Sequence, residues 1–198
     1  KFKYSINALD EKTMEEKSKE ADKVLEFMSQ TIDDFRNFFM PKKEEEEFYL
    51  YKAIDSVINI ISSTLVNYDI KLEINIDKKI VLKTYLNEYQ QVLLNIINNA
   101  KDILIEKGVK TPKIIISAYE EDNYVVLYIE DNGGGIFVEP KGKIFEPYFT
   151  TKEDSNGTGI GLYMSKIIVD KNMRGKLRVR NTKDGAKFAI FVPKNSFI

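Results

Sequence analysis

The sequence predicts a two-layer α/β sandwich preceded by a long helix of a dimeric four-helix bundle. Three observations predict it. Residues 53–65 and 86–107 carry apolar side chains at helical spacing. Residues 71–76, 113–119, 124–130, 176–181 and 187–192 are short alternating or continuous apolar runs, the signature of strands. Interleaving of these helical and strand segments suits one sheet covered by helices. Ahead of them, Met14, Ala21, Met28 and Phe35 alternate with Ser18, Leu25, Ile32 and Phe39 in a heptad pattern that only Ser18 interrupts.

Composition narrows the functional classes. The chain has 198 residues, of which 43% are hydrophobic, enough for one full domain and a smaller element. Its net charge of −1 argues against nucleic acid as a partner. With no Cys there is no disulfide framework and no thiolate metal site. There is also no His, which excludes His-based triads and most zinc sites. No apolar run is long enough to cross a bilayer and no signal peptide begins the chain, so this segment is expected to be cytoplasmic and to make no membrane contact.

In chain order, residues 1–7 read as the end of a helix, since Phe2 and Ile6 stand four apart. Ala8, Leu9 and Asp10 form a turn. Thr13 with Glu16 fits a capping box for a second helix, which Pro41 stops. Val24, Phe27 and Phe38 widen its apolar stripe beyond a two-stranded seam, which favours a four-helix bundle. An amphipathic helix packed on its own domain is the competing reading. Residues 1–43 are thus a partial dimerisation hairpin, and 44–198 a separate domain. The acidic run 44–47 reads as a solvated linker, and Phe48, Tyr49 and Leu50 as a short edge strand. The strands 113–119 and 124–130 join through an acidic turn, a helix spans 162–171, and Lys183-Asp184-Gly185 turns the last hairpin.

The densest chemical signal lies between Glu130 and Leu162. Asp131 and Asn132 precede Gly133-Gly134-Gly135 at the end of an apolar strand. Gly157-Thr158-Gly159-Ile160-Gly161 leads into a helix. Glycine lets backbone approach a ligand where a Cβ would collide, and a helix start presents N–H groups to an anion. Either cluster alone is more often a simple turn. Their order, around the proline-aromatic block Phe145-Glu146-Pro147-Tyr148-Phe149, suggests a nucleotide site with Asp131 reading the base and 157–161 near phosphate.

A second signal lies on the helix over 86–107. Val92, Leu93, Ile96, Ile97 and Ala100 form its apolar face, and Asn95, Asn99 and Asp102 fall on one polar stripe. Asparagine weakens a helix, and solvated faces ordinarily use Lys, Glu or Gln. The stripe therefore suggests an amide oxygen for Mg²⁺, which takes hard oxygen ligands and shares them with phosphates.

These segments resemble, in order, the nucleotide boxes of the sensor histidine kinases, whose ATP-binding domain belongs to a superfamily shared with type II topoisomerases, ninety-kilodalton heat-shock chaperones and mismatch-repair ATPases. Residues 131–135 resemble the G1 box, 145–149 the F box, and 157–162 the G2 box. The stretch ending in Asn99-Ala100 resembles the N box, and Thr31 to Phe39 the end of the dimerisation hairpin of one subgroup. The resemblance implies ATP and Mg²⁺ as cofactors, with Asn99 as the metal ligand. It implies Asn95, Asn99, Asp102, Asp131, Gly133, Gly135, Lys152, Gly157, Thr158, Gly159, Gly161 and Leu162 as nucleotide-binding residues. Asn95 holds the catalytic position where hydrolysing relatives place a Glu; lacking a base, it points to phosphoryl transfer onto a protein. Residues 150–156 form the ATP lid, where Lys152 either contacts phosphate or is a solvated surface lysine. Ala186 stands where many members have Thr. The implied reaction passes the γ-phosphoryl group to a histidine that this chain lacks, and then to the aspartate of a response regulator receiver domain, in a homodimer. A hydrolysing ATPase of the same superfamily and a non-catalytic dimerisation scaffold are the alternatives.

Overall fold

The computed structural model describes residues 13–19, 21–22, 25, 44–151 and 158–194. Of the expected hairpin, residues 13–19 are helical. The heptad seam around Phe35, the resemblance over 31–39, and the division of the chain near residue 43 lie largely outside the described residues.

From residue 44 onward the expected α/β sandwich forms. Strand β1 (Glu46–Tyr49) pairs antiparallel with β3 (Val81–Thr84), from Glu46 opposite Thr84 to Tyr49 opposite Val81. Leu50, expected in the strand, instead begins helix α1 (Leu50–Asn67). Its amide bonds Ile80 O at 3.0 Å and its side chain is fully buried, so the chain turns inward there. Leu50, Ile54, Val57, Ile61 and Leu65 line the buried face of α1. The helix stops where Asp69 adopts φ 51°: Asp69 N bonds Val66 O and Ile70 N bonds Leu65 O, closing a Schellman motif.

The main sheet holds β2 (Lys71–Ile76), β4 (Lys113–Glu121), β5 (Tyr124–Asp131), β6 (Lys176–Asn181) and β7 (Ala186–Pro193), in the order β2-β4-β5-β7-β6. Only β2 and β4 run parallel; the other pairs are antiparallel. In β4 the buried Ile114, Ile116 and Ala118 alternate with half-buried neighbours, as period two requires. These side chains join Val125, Leu127, Ile129, Phe188, Ile190 and Val192 in one apolar cluster with the helices.

Helix α2 (Leu86–Glu106) is the spine of the helical layer. Val92, Leu93, Ile96 and Ile97 are fully buried, and Ala100 nearly so. Glu88 in its first turn complements the positive end of the helix dipole. At its end Gly108 adopts φ 57°, Gly108 N bonds Ile105 O and Val109 N bonds Leu104 O, a second Schellman stop. The expected last helix divides into α3 (Gly161–Ile167) and a π-helical turn over Ile168–Asn172. A short 3₁₀ turn over Lys141–Phe145 adds an element that periodicity does not signal.

Candidate nucleotide site

The site is built along one face of α2. Asn95, Asn99, Ile103 and Lys107 stand four residues apart, a row about 18 Å long at 1.5 Å per residue. At one end, Asn95 Nδ2 donates to Gly161 O at 3.3 Å and to Ser165 Oγ at 3.2 Å. At the other, Lys107 Nζ donates to Gly133 O at 2.7 Å. Helix α2 therefore touches both glycine clusters, and Asn99 lies between the contacts. Its Nδ2 donates to Asn95 O at 2.8 Å, which directs the amide and leaves Oδ1 as a neutral oxygen acceptor. Among the described residues no three His, Cys, Asp or Glu gather into a metal site. A cation at Asn99 would complete its shell from ligand and water oxygens, a pattern that suits Mg²⁺. Asp102 is ion-paired with Lys101 at 2.9 Å and one-third exposed.

Asp131 closes β5 with only 6% of its surface exposed. Its Oδ1 accepts from Gly133 N at 2.8 Å and from Ala186 N at 3.3 Å. These two donors fix the carboxyl plane and leave Oδ2 as an acceptor for a ligand. Burial pushes the carboxyl above the usual aspartate range, and Glu130 acts in the same direction. The two backbone N–H groups and the Lys107 cation oppose the shift.

The glycine loop that follows is tied to the β6–β7 hairpin at two points. Gly134 N donates to Asp184 O at 2.8 Å in the β6–β7 turn. Ile136 N donates to Asn181 Oδ1 at 2.9 Å, and Asn181 Nδ2 returns a bond to Ile136 O at 2.8 Å, so the side chain grips that backbone as a neighbouring strand would. Gly134 and Gly135 take φ 84° and 85°, a region glycine enters freely. Asn132 faces away from the loop: it accepts from Lys113 N at 2.8 Å and donates to Thr111 O at 2.8 Å, bracing the start of β4.

The second cluster meets the aromatic block by backbone contact. A Cβ on Gly159 would lie 2.4 Å from the carbonyl carbon of Tyr148, which no side chain permits. Tyr148 itself holds φ 64°, strained for a bulky residue, and the residue is 75% exposed. Phe145 anchors the block, its ring edge-on to Phe188 at 6.5 Å. Thr158 Oγ1 accepts from Ile160 N at 3.3 Å, and half-buried Leu162 packs on the core. The first α-helical bond runs from Met164 N to Ile160 O, so the N–H groups of Gly161, Leu162 and Tyr163 precede it and make no bond within the helix. Lys152 and Gly157, also expected at the site, lie outside the described residues.

Several residues that shape the site carry no such role in the sequence pattern. Gly185 is forced: a Cβ there would fall 1.9 Å from Asp131 O. Ala186 supplies its amide to Asp131, a role independent of the hydroxyl that Thr would carry. Fully buried Ser165 receives Asn95 and donates to Gly161 O at 2.8 Å. Lys107 has one sequence signal: it is the fourth member of the row Asn95, Asn99, Ile103.

Comparison with known proteins identifies the family and the fold. Residues 85–196 match the family described as histidine kinase-, DNA gyrase B- and HSP90-like ATPase. The two-component sensor PprA of Pseudomonas aeruginosa is 33% identical over 147 residues, covering 72% of this chain. The chain spans only 16% of that relative's length. The catalytic domain of the histidine kinase ThkA superposes with a TM-score of 0.69 at 29% identity, covering 77% of this chain and 97% of that domain. ThkA in complex with the response regulator TrrA shares the fold, with a TM-score of 0.64 at 23% identity over 98% of this chain and 53% of that one. The chain belongs to the histidine kinase-, DNA gyrase B- and HSP90-like ATPase family, as the ATP-binding catalytic domain of a sensor histidine kinase.

Proposed function

We propose that the chain binds MgATP across α2 and transfers the γ-phosphoryl group to a histidine in a segment outside this sequence. A response regulator aspartate would receive it next. The observation that carries the reading is the row on α2, with Asn95 at one glycine cluster, Lys107 at the other and Asn99 between them. Asp131 Oδ2 accepts from the adenine amine. The amides at the start of α3 meet the phosphates, joined by Gly159 and, from the preceding sequence, Gly157 and Lys152. Asn99 Oδ1 ligates Mg²⁺, which when bound neutralises charge on the phosphates.

The residues of this chain act by orientation. Asp131 fixes the base, and the α3 amides hold the phosphates for in-line attack. Asn95 sits where a hydrolytic base would, but its amide nitrogen is occupied by Gly161 O and Ser165 Oγ. It braces α3 and cannot take a proton from water. This favours transfer to a side chain over hydrolysis.

Among the described residues no helix is long and apolar enough to cross a membrane. We place this segment in the cytoplasm, where ATP is supplied. We also propose that residues 1–43 are a distinct unit and that two copies pair through the helix expected near residues 10–40. Phe35→Glu should then convert a dimer to a monomer in sedimentation, and a monomeric parent chain would refute the pairing.

The test of function joins the chain to its natural upstream segment and supplies γ-labelled ATP. An acid-labile label on an upstream histidine is expected. Steady phosphate release without any labelled protein would show a hydrolase instead.

A further inference from the structure

We infer that Lys107 is a positioning residue for adenine recognition, holding the glycine loop so that Asp131 presents one carboxylate oxygen to the base. The inference rests on the assignment of Asp131 as the base-reading group. Lys107 is the capping residue of α2, and the Schellman stop at Gly108 fixes its backbone. Its side chain reaches the glycine loop, where Nζ donates to Gly133 O at 2.7 Å. The N–H of the same residue, Gly133, donates to Asp131 Oδ1 at 2.8 Å. Ammonium, glycine and carboxylate thus form one chain of contacts.

The surroundings are shaped for it. A Cβ on Gly134 would lie 3.2 Å from Nζ, so the ammonium sits directly against the glycine loop. The Phe137 ring lies 5.6 Å from Nζ, within cation–π reach. The ammonium also brings positive charge near the buried Asp131 carboxyl and favours its ionised form, in which both oxygens accept. Lys107 is exposed and lies outside the apolar core, so its effect should fall on the loop and spare the fold.

The experiment compares ATP with ITP, whose hypoxanthine lacks the amine that Asp131 reads. Calorimetric titrations with Mg²⁺ would use the whole chain, Lys107→Met, Lys107→Arg and Asp131→Asn. Partial weakening of the hydrogen bond from that amine to Asp131 predicts about threefold to tenfold weaker ATP binding in Lys107→Met, with ITP binding unchanged. Lys107→Arg keeps a charged donor and should restore most of the preference for ATP. The unliganded melting temperature should match the parent in Lys107→Arg and fall slightly at neutral pH in Lys107→Met, where ionised Asp131 loses a neighbouring cation. Equal weakening of ATP and ITP in Lys107→Met, or no change in either, overturns the role of Lys107 while Asp131→Asn still abolishes the preference. A parent chain that does not prefer ATP, or an Asp131→Asn variant that keeps the preference, overturns the reading of Asp131 itself, and the inference with it.

Discussion

Asp131 shows how function and stability oppose each other within one side chain. Burial raises its folded-state pKa above the unfolded value, despite two amide donors and Lys107. For a carboxyl shifted this way, the stabilising state is the protonated one. That contribution is fully present below the unfolded pKa and is lost as pH rises through the folded pKa. At neutral pH the ionised group therefore costs stability. Asp131→Asn keeps an oxygen for Gly133 N and Ala186 N but removes the charge. It should melt above the parent at neutral pH, and the advantage should vanish as pH falls through the folded pKa of Asp131. The same variant cannot accept from the adenine amine, so ATP affinity should drop at least about tenfold, as for a charged hydrogen bond of about 1.5–3 kcal/mol. Thermal melts across pH, paired with calorimetry at neutral pH, check both halves. An unchanged affinity would remove Asp131 from base reading. Asn99 offers a parallel test: Asn99→Ala should abolish the Mg²⁺ dependence of ATP binding, whereas Asn98→Ala, rotated about 100° around the helix, should preserve it. Equal loss in both would mean that the metal ligand lies on another stripe. Asp131 and Asn99 stand out as candidates in the sequence because each is an unusual choice for its place. The partners of Asn132, Asn181 and Lys107 are not legible there, since each acts on a group far away in sequence that nothing local marks.

Among the elements, the long periodic ones are readable from sequence and the short ones are not. Helix α2 matches its expected bounds to within a residue, because five buried apolar positions at helical spacing leave little freedom. Strand β3 has only four residues, and its pairing with β1 comes from a register that sequence does not display. The parallel pairing of β2 with β4 is equally hidden, since both strands read alike whichever neighbour they take. The π turn after α3 depends on how the chain is drawn down onto the core: Met173 N bonds Ile168 O, and Gly175 N bonds Val169 O. Packing between elements yields its own prediction at the β6–β7 turn. Gly185 lets that turn lie against the end of β5, with no room for a Cβ beside Asp131 O. Gly185→Ala must push the two strands apart, which should cost about 3 kcal/mol and weaken ATP binding with it. A Cβ on Gly142 would meet nothing within 4 Å, so Gly142→Ala should stay within about 0.5 kcal/mol of the parent. Urea denaturation of the two variants makes the comparison, and similar midpoints would show that the turn is not held against β5.

For the whole molecule, the consequence concerns what binding alone can achieve. The chain contains the row on α2, the buried carboxylate proposed to read the base and the amides of α3, yet has no histidine in 198 residues. Phosphoryl transfer depends on a nucleophile placed in line with the γ-phosphorus, and positioning supplies most of the acceleration. Left to itself, the bound nucleotide meets only water. A water molecule there would need a base, and Asn95, the residue at that position, is a neutral amide already committed to Gly161 O and Ser165 Oγ. The chain should therefore bind ATP, release phosphate slowly and acquire no label from γ-labelled ATP. Two assays check this on the same sample: nucleotide binding by calorimetry, and label retention after acid and alkaline treatment. Replacing Asn95 with Glu should not create a fast hydrolase, because the carboxylate would lose both bonds that hold α3 and would face the carbonyl of Gly161. Rapid phosphate release by the parent chain would show that another group activates water. An acid-stable label would place the acceptor on Ser, Thr or Tyr within this sequence, and would overturn the division of labour in which this domain delivers the phosphoryl group and another segment receives it.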